Sequence, residues 1–138
     1  MPAQEIILVS ACLLGVCCRY DGKSKPCHEI MKHAKGAVIV PVCPEQLGGL
    51  PTPRPPAQLQ HGDGLDVIEG RASVVTRDEE QDVTESFLKG ARQVAYIAHI
   101  LGATRCILKS KSPSCGLTPV VGVTSALLIT MGFKVTEL

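Results

Sequence analysis

The stretch that most constrains this chain is IILVSACLLGVCC, Ile6 to Cys18: 13 nearly uninterrupted apolar residues carrying three cysteines. Such a run can be an export signal, a membrane span or a buried strand. An export signal opens with positive charge, yet Met1-Pro2-Ala3-Gln4-Glu5 carries only a negative side chain, although Val9-Ser10-Ala11-Cys12 has the small residues of a lipid-modification box. A membrane-spanning helix needs about 20 apolar residues, and the run falls short. The remaining reading is a short strand rich in β-branched residues, Ile6 to Ser10, that ends at Cys12. The expected setting is the cytoplasm, with no membrane partner.

The rest of the chain has to supply the layers for that strand. Its 138 residues suit one domain, residues 1–138. Hydrophobic residues make up 45% and aromatics only 3%, with no Trp, so the core has to be built from Val, Ile, Leu and Ala. That composition suits a parallel sheet covered by helices. A second apolar strand is expected over Ala37 to Val42, its end placed near Val40 by Pro41. A third covers Cys106 to Leu108, and a last one Phe133 to Thr136. Helices are expected over Cys27 to Lys35 and from Gly122 or Val123 to Met131. A long helix ends at Leu101, with Gly102 as its stop. Val83, Phe87, Ala91, Val94, Ala95, Ala98 and Leu101 share one face of it, and Asp82-Val83-Thr84-Glu85 reads as its capping box. Asp66 to Glu69 and Ala72 to Thr76, around Gly70-Arg71, read as a hairpin. Cys43 to Pro56, CPEQLGGLPTPRPP, holds five prolines and two glycines and reads as a stiff extended loop. The alternation of strands and helices predicts an α/β fold: a single three-layer Rossmann-like domain with a mostly parallel sheet.

Charge narrows the partner. The net charge is +1 and no stripe of Lys or Arg stands out, so a large nucleic-acid partner is not expected and a small molecule is. Seven cysteines without an export signal point to metal ligands or catalytic thiols rather than disulfides. Cys12 follows the first strand, Cys43 the second and Cys115 the third. In an open α/β sheet, ligands bind beyond the carboxyl ends of the strands. These three thiols, 31 and 72 residues apart in turn, are therefore placed to meet. None has the CxxC spacing of a zinc ribbon. Glu45, two residues after Cys43 in the expected loop, is a candidate proton carrier. Ser112 and Ser114 could bond a ligand or cap a turn. Arg19, Asp21 and Arg54 read as structural, Cys106 and Cys27 as packing residues. The four histidines read as surface residues.

SACLLGVCCRYDG (Ser10 to Gly22), VCPEQLGGLPTPRPP (Val42 to Pro56), DVTESFLKGA (Asp82 to Ala91) and KSPSCG (Lys111 to Gly116) together resemble the DUF523 family, whose characterised members are thiouracil desulfurases. The resemblance implies an iron–sulfur enzyme of α/β fold that holds a [4Fe-4S] cluster by three cysteines. It would remove sulfur from a thiolated uracil, the small-molecule partner, without net redox change. By position the ligands fall on Cys12, Cys43 and Cys115, the carboxylate beside the cluster on Glu45, and a serine of the SPSC motif on Ser112. Cys18 matches a common family cysteine, while Cys17 stands where Asn is usual. The resemblance departs after Gly116. Family members carry a Gly-rich stretch with an aromatic and an Asp there, and this chain runs almost directly into Leu117 to Thr124. A shortened loop would take a lid from the site. Two other readings use the same cysteines. One is a zinc-binding structural domain. The other is a thiol-based sulfur carrier working through Cys17-Cys18 or Cys12.

Overall fold

The structure, a computed structural model, describes residues 4–138. Strand β1 (Ile6–Ser10) runs into a 3-10 turn over Ala11–Leu14, followed by α1 (Glu29–His33), β2 (Val38–Val42), α2 (Pro44–Leu47), β3 (Ala57–Gln60), α3 (Gly64–Ile68), β4 (Ser73–Thr76), α4 (Thr84–Leu101), β5 (Arg105–Leu108), α5 (Val123–Thr130) and β6 (Lys134–Glu137). The four strands β2-β1-β5-β6 form one parallel sheet in that order, and β3 pairs with β4 in a separate antiparallel ribbon.

The apolar run at the N-terminus is β1 because a central strand is covered on both faces. Ile7 and Val9 pack with Ile30 and Ala34 of the α1 layer and with Ile107. Leu8 faces the other way, onto Val94, Ala95 and Ala98 of α4 and Leu128 of α5. Helical layers thus lie on both faces of the sheet, as expected. Among the described residues no helix is long and apolar enough to cross a membrane.

Four local expectations are corrected. First, β2 continues through Pro41 to Val42, because β2 is an edge strand whose outer side needs no N–H donor. Second, Asp66 to Glu69 is not a hairpin strand. Asp63 accepts from the Asp66 N–H, Asp66 accepts from the Asp63 N–H, and this reciprocal cap opens α3. The partner of β4 is β3, within the stretch just after the proline-rich loop. Third, no capping box opens α4. The Asp82 carboxylate accepts from Thr84 N, while the Thr84 hydroxyl is engaged with the backbone of Val74 and ties the helix start to β4. Leu101 leaves the buried stripe and is exposed. Fourth, Cys43 to Pro56 is not extended throughout. Cys43 is the N-cap and Pro44 the first residue of α2, the helix position where the missing N–H of proline costs nothing.

Short α2 lies against α4 backbone to backbone. A Cβ on Gly90 would stand 1.9 Å from the Pro44 carbonyl oxygen, and one on Gly48 would stand 2.0 Å from the Ser86 oxygen. Two glycines therefore set how close the residues after Cys43 come to the long helix.

Candidate active site

The carboxyl ends of β1, β2 and β5 open onto one cleft of about 460 Å³. Cys12, Cys43 and Cys115 all line it, and so does Cys18. Each thiol is held by a different local device. Cys12 sits on the 3-10 turn that β1 runs into, closed by Gly15 at φ 97°. Its carbonyl also accepts from Lys25 N at 2.9 Å, which folds the intervening loop back over it. Cys43 caps α2, and its Sγ lies 3.7 Å from the carbonyl oxygen of Cys18.

Cys115 is seated on the N-terminus of α5. The N–H of Val123 donates to Pro113 O, and those of Thr124 and Ser125 donate to Ser114 O. The Ser125 hydroxyl donates to Cys115 O at 2.6 Å. A Cβ on Gly122 would come within 2.6 Å of the Ser114 carbonyl, so the loop and the helix meet only because that residue is glycine. The segment after Cys115 is pinned as well. Gly122 N donates to Gly116 O, and the Glu137 carboxylate of β6 accepts from the N–H of Leu117 and Thr118.

The two serines have different tasks. Ser112 Oγ accepts from the N–H of Ser114 at 3.2 Å and of Cys115 at 3.1 Å, shaping the loop. Ser114 Oγ donates to Glu45 Oε2 at 3.1 Å and lies 3.7 Å from Cys115 Sγ. Glu45 is not in a loop but in the first turn of α2, and its other oxygen, Oε1, accepts from Arg54 Nε at 3.0 Å. The expected Glu45 and Ser112 thus stand in the same cleft as the three cysteines, with Ser114 and not Ser112 on the carboxylate. Of the other residues here, Ser114 is one of the two serines that could bond a ligand, whereas Cys18 and Arg54 are not among the expected site residues. The CRYDG match of Cys18 and the adjacency of Ser114 to Cys115 were the available signals. Arg54 has the signal of a loop next to the same strand ends, where it reads as structural.

The thiols respond to their burial and to each other. A hydrogen bond from Cys18 lowers the Cys12 pKa, and the same bond raises that of Cys18. Contact with Cys18 and then burial push Cys43 far up. Burial pushes Cys115 up to about 11. Buried Cys106 is likewise raised to about 11, by burial, but it packs between β1 and α4, away from the cleft lining. Cys27 packs beside α1, and all four histidines are exposed. The mouth is cationic. Arg19, Lys25, Lys109 and Lys111 line it, and among the described residues none of them has a salt-bridge partner. Lys109 is held below the usual lysine range, first by burial; Arg19, Lys25 and Lys111 act in the same direction.

The donor set can be tested against a metal group. A single zinc ion gathers its ligands within about 2.3 Å of one centre, and among the described residues no three His, Cys, Asp or Glu side chains are so gathered. In an iron–sulfur cluster each thiolate binds a different iron, so the ligands stand apart. All-thiol donors spread around one cleft fit a cluster better than one ion.

A parallel α/β sheet with thiols, a carboxylate and hydroxyls converging at its strand ends defines a thiol-lined α/β enzyme site. The chain belongs to the 2-thiouracil desulfurase family, whose model matches residues 7–137. It is 41% identical over 142 residues to the Bacillus subtilis (strain 168) protein YbbK, described as uncharacterized, covering 94% of this chain and 93% of that one. Its fold is similar to the solved structure of the [4Fe-4S]-dependent thiouracil desulfidase TudS (DUF523Vcz). The TM-score is 0.78 and the identity 37%, over 97% of this chain and 91% of the other.

Proposed function

We propose that this protein is a [4Fe-4S]-dependent desulfidase that converts a thiolated uracil and water into uracil and hydrosulfide, without net redox change, and that its preferred substrate is a nucleotide. The observation that carries the reading is the meeting of Cys12, Cys43 and Cys115 with Glu45 in one cleft. The three thiolates would hold the cluster. Held by three rather than four, it supplies a coordinatively open iron, a Lewis acid that binds sulfur and makes the thiocarbonyl carbon electrophilic.

The chain's own residues do the rest. Water replaces sulfur at the ring carbon: a C–O bond forms, the C–S bond breaks, and sulfur leaves as hydrosulfide with its electron pair. Glu45 takes the proton from the attacking water and returns one to the departing group or the ring. Arg54 and Ser114 hold the two carboxylate oxygens, so the group is oriented before substrate arrives. Ser112 keeps the loop that presents Cys115 in shape and orients the base through it. The cationic mouth supports the nucleotide. Arg19, Lys25, Lys109 and Lys111, without a carboxylate partner among the described residues, suit a phosphate, whereas a neutral free base offers them only uncharged acceptors and weaker hydrogen bonds.

The test is anaerobic reconstitution followed by iron and sulfide analysis and assay of sulfide release from a thiouridine 5′-monophosphate and from free thiouracil. The expected result is about four irons and four sulfides per chain, the composition of one such cluster, with a lower KM for the nucleotide. Added salt should raise the nucleotide KM alone. A colourless protein with one zinc per chain, or sulfur transfer that persists without metal, would replace this reading with one of the two thiol-based alternatives.

A further inference from the structure

Arg54 is almost fully enclosed, its side chain 4% exposed. A guanidinium keeps its charge at any physiological pH, so burying it is costly unless its N–H groups find acceptors. Here they do. Nε donates to Glu45 Oε1 at 3.0 Å. Nη1 donates to Pro51 O at 3.1 Å and Thr52 Oγ1 at 3.0 Å. Nη2 donates to Cys18 O at 2.8 Å. The Arg54 backbone N–H donates to Tyr20 O at 2.8 Å, anchoring the same turn a second time. The Cys18 carbonyl that takes Nη2 is also the one that Cys43 Sγ approaches, and among the described residues Glu45 is the only carboxylate lining the cleft.

We propose that Arg54 is a positioning residue whose planar fork joins the Glu45 carboxylate and the Cys18 turn into one rigid unit. It thereby sets where the proton carrier stands relative to the thiol of Cys43. The inference rests on the function proposed above. The shape of the side chain is what matters. A lysine ammonium is a compact point charge and can meet either Glu45 or the Cys18 carbonyl, but not both in a fixed plane. Since Pro51 and Thr52 hold the fork from its own loop, the unit is a brace between α2, the loop after it and the segment that carries Cys18 and Tyr20.

The experiment compares anaerobically loaded wild type, Arg54→Lys and Arg54→Ala. It measures kcat and KM for sulfide release and, independently, the rate of iron loss to a chelator. The expected outcome for Arg54→Lys is a kcat about 10- to 100-fold lower, the scale of a displacement of about an ångström, with KM nearly unchanged and iron lost several-fold faster. Added guanidinium ion should restore part of the kcat of Arg54→Ala, and methylammonium should not. Wild-type kcat in loaded Arg54→Lys overturns the proposal. Equal rescue by both ions overturns it too, because charge alone would then suffice. If Arg54→Ala does not fold, Arg54→Lys carries the test. If wild type itself releases no sulfide, the proposed function fails, and the role of Arg54 is still judged on iron loss: an unchanged rate in Arg54→Lys would dismiss it.

Discussion

Glu45 spends each carboxylate oxygen on a different donor, Arg54 on one side and Ser114 on the other. An amide can keep that arrangement, its oxygen accepting from Arg54 and its NH₂ group donating to the Ser114 hydroxyl, which then turns its own proton toward Ser112. Glu45→Gln therefore removes the titrating group while leaving both hydrogen-bond partners within reach. Turnover is expected to fall about 10²- to 10⁴-fold, the usual contribution of general acid–base assistance, with iron and sulfide content unchanged. Single-turnover sulfide release from the loaded variant checks this, and release at the wild-type rate would take Glu45 out of the mechanism. The cysteines divide by place. Cys12→Ser, Cys43→Ser and Cys115→Ser are each expected to lose the cluster, while Cys27→Ser and Cys106→Ser keep it. Cys106 is fully buried among apolar side chains, so a hydroxyl there should also lower stability by about 1–3 kcal/mol. Iron analysis and a denaturant melt on the five variants separate ligand loss from packing loss.

At the scale of elements, the site depends on pieces that contribute little structure of their own. Helix α2 is only Pro44–Leu47, and it carries Glu45 two residues after Cys43. Its place is set by contact with α4 across Gly48 and Gly90. Gly90→Ala puts a methyl group into the Pro44 carbonyl and must push α2 away. A destabilisation of about 1–3 kcal/mol is expected, as for other overpacked contacts, with a fall in turnover because Cys43 and Glu45 move with α2. Thermal melts and sulfide release on the loaded protein test both parts; a variant as stable and as active as wild type would show that the contact yields freely. Long, periodic α4 was readable from its stripe of Phe87, Ala91, Val94, Ala95 and Ala98. Short α3 was not, since five residues hold too few apolar positions to separate a helical period from an alternating one. What decided it was the reciprocal cap of Asp63 and Asp66.

At the scale of the whole molecule, the last strand is tied to the segment that follows Cys115. The Glu137 carboxylate on β6 receives the Thr118 hydroxyl and the N–H groups of Leu117 and Thr118, and its pKa is lowered, chiefly by the Thr118 hydroxyl. A carboxyl whose folded pKa lies below its unfolded one adds stability that is present above the unfolded value, about 4.3 for glutamate. That contribution is lost as pH falls through the folded value. Glu137→Gln should thus be less stable than wild type near neutrality, and the gap should close as pH drops below about 4. Denaturant midpoints of the two proteins across that range provide the check. A gap that stays constant with pH would mean the loss is steric rather than electrostatic. Asp82 and Glu5, also lowered by hydrogen bonds, act in the same direction.

The chain's own order of residues determined the parallel α/β layering, because each apolar run is local: Ile6 to Ser10 is too short to cross a membrane and too apolar to lie on a surface. It also determined which cysteines could meet, because strand ends in a parallel sheet share one edge. Two strand-end facts, one for Cys12 and one for Cys43, needed only the neighbouring five residues. What the tertiary structure alone decided is the company those thiols keep. Ser114 rather than Ser112 reaches Glu45 across 69 residues, and Arg54 reaches the Cys18 carbonyl across 36. Hydrogen bonds depend on distances of about 3 Å and on direction. Those are set by how α2, α4 and α5 pack, through glycines whose missing methyl groups matter only once the partner backbone is in place. No periodicity along the chain records such a contact.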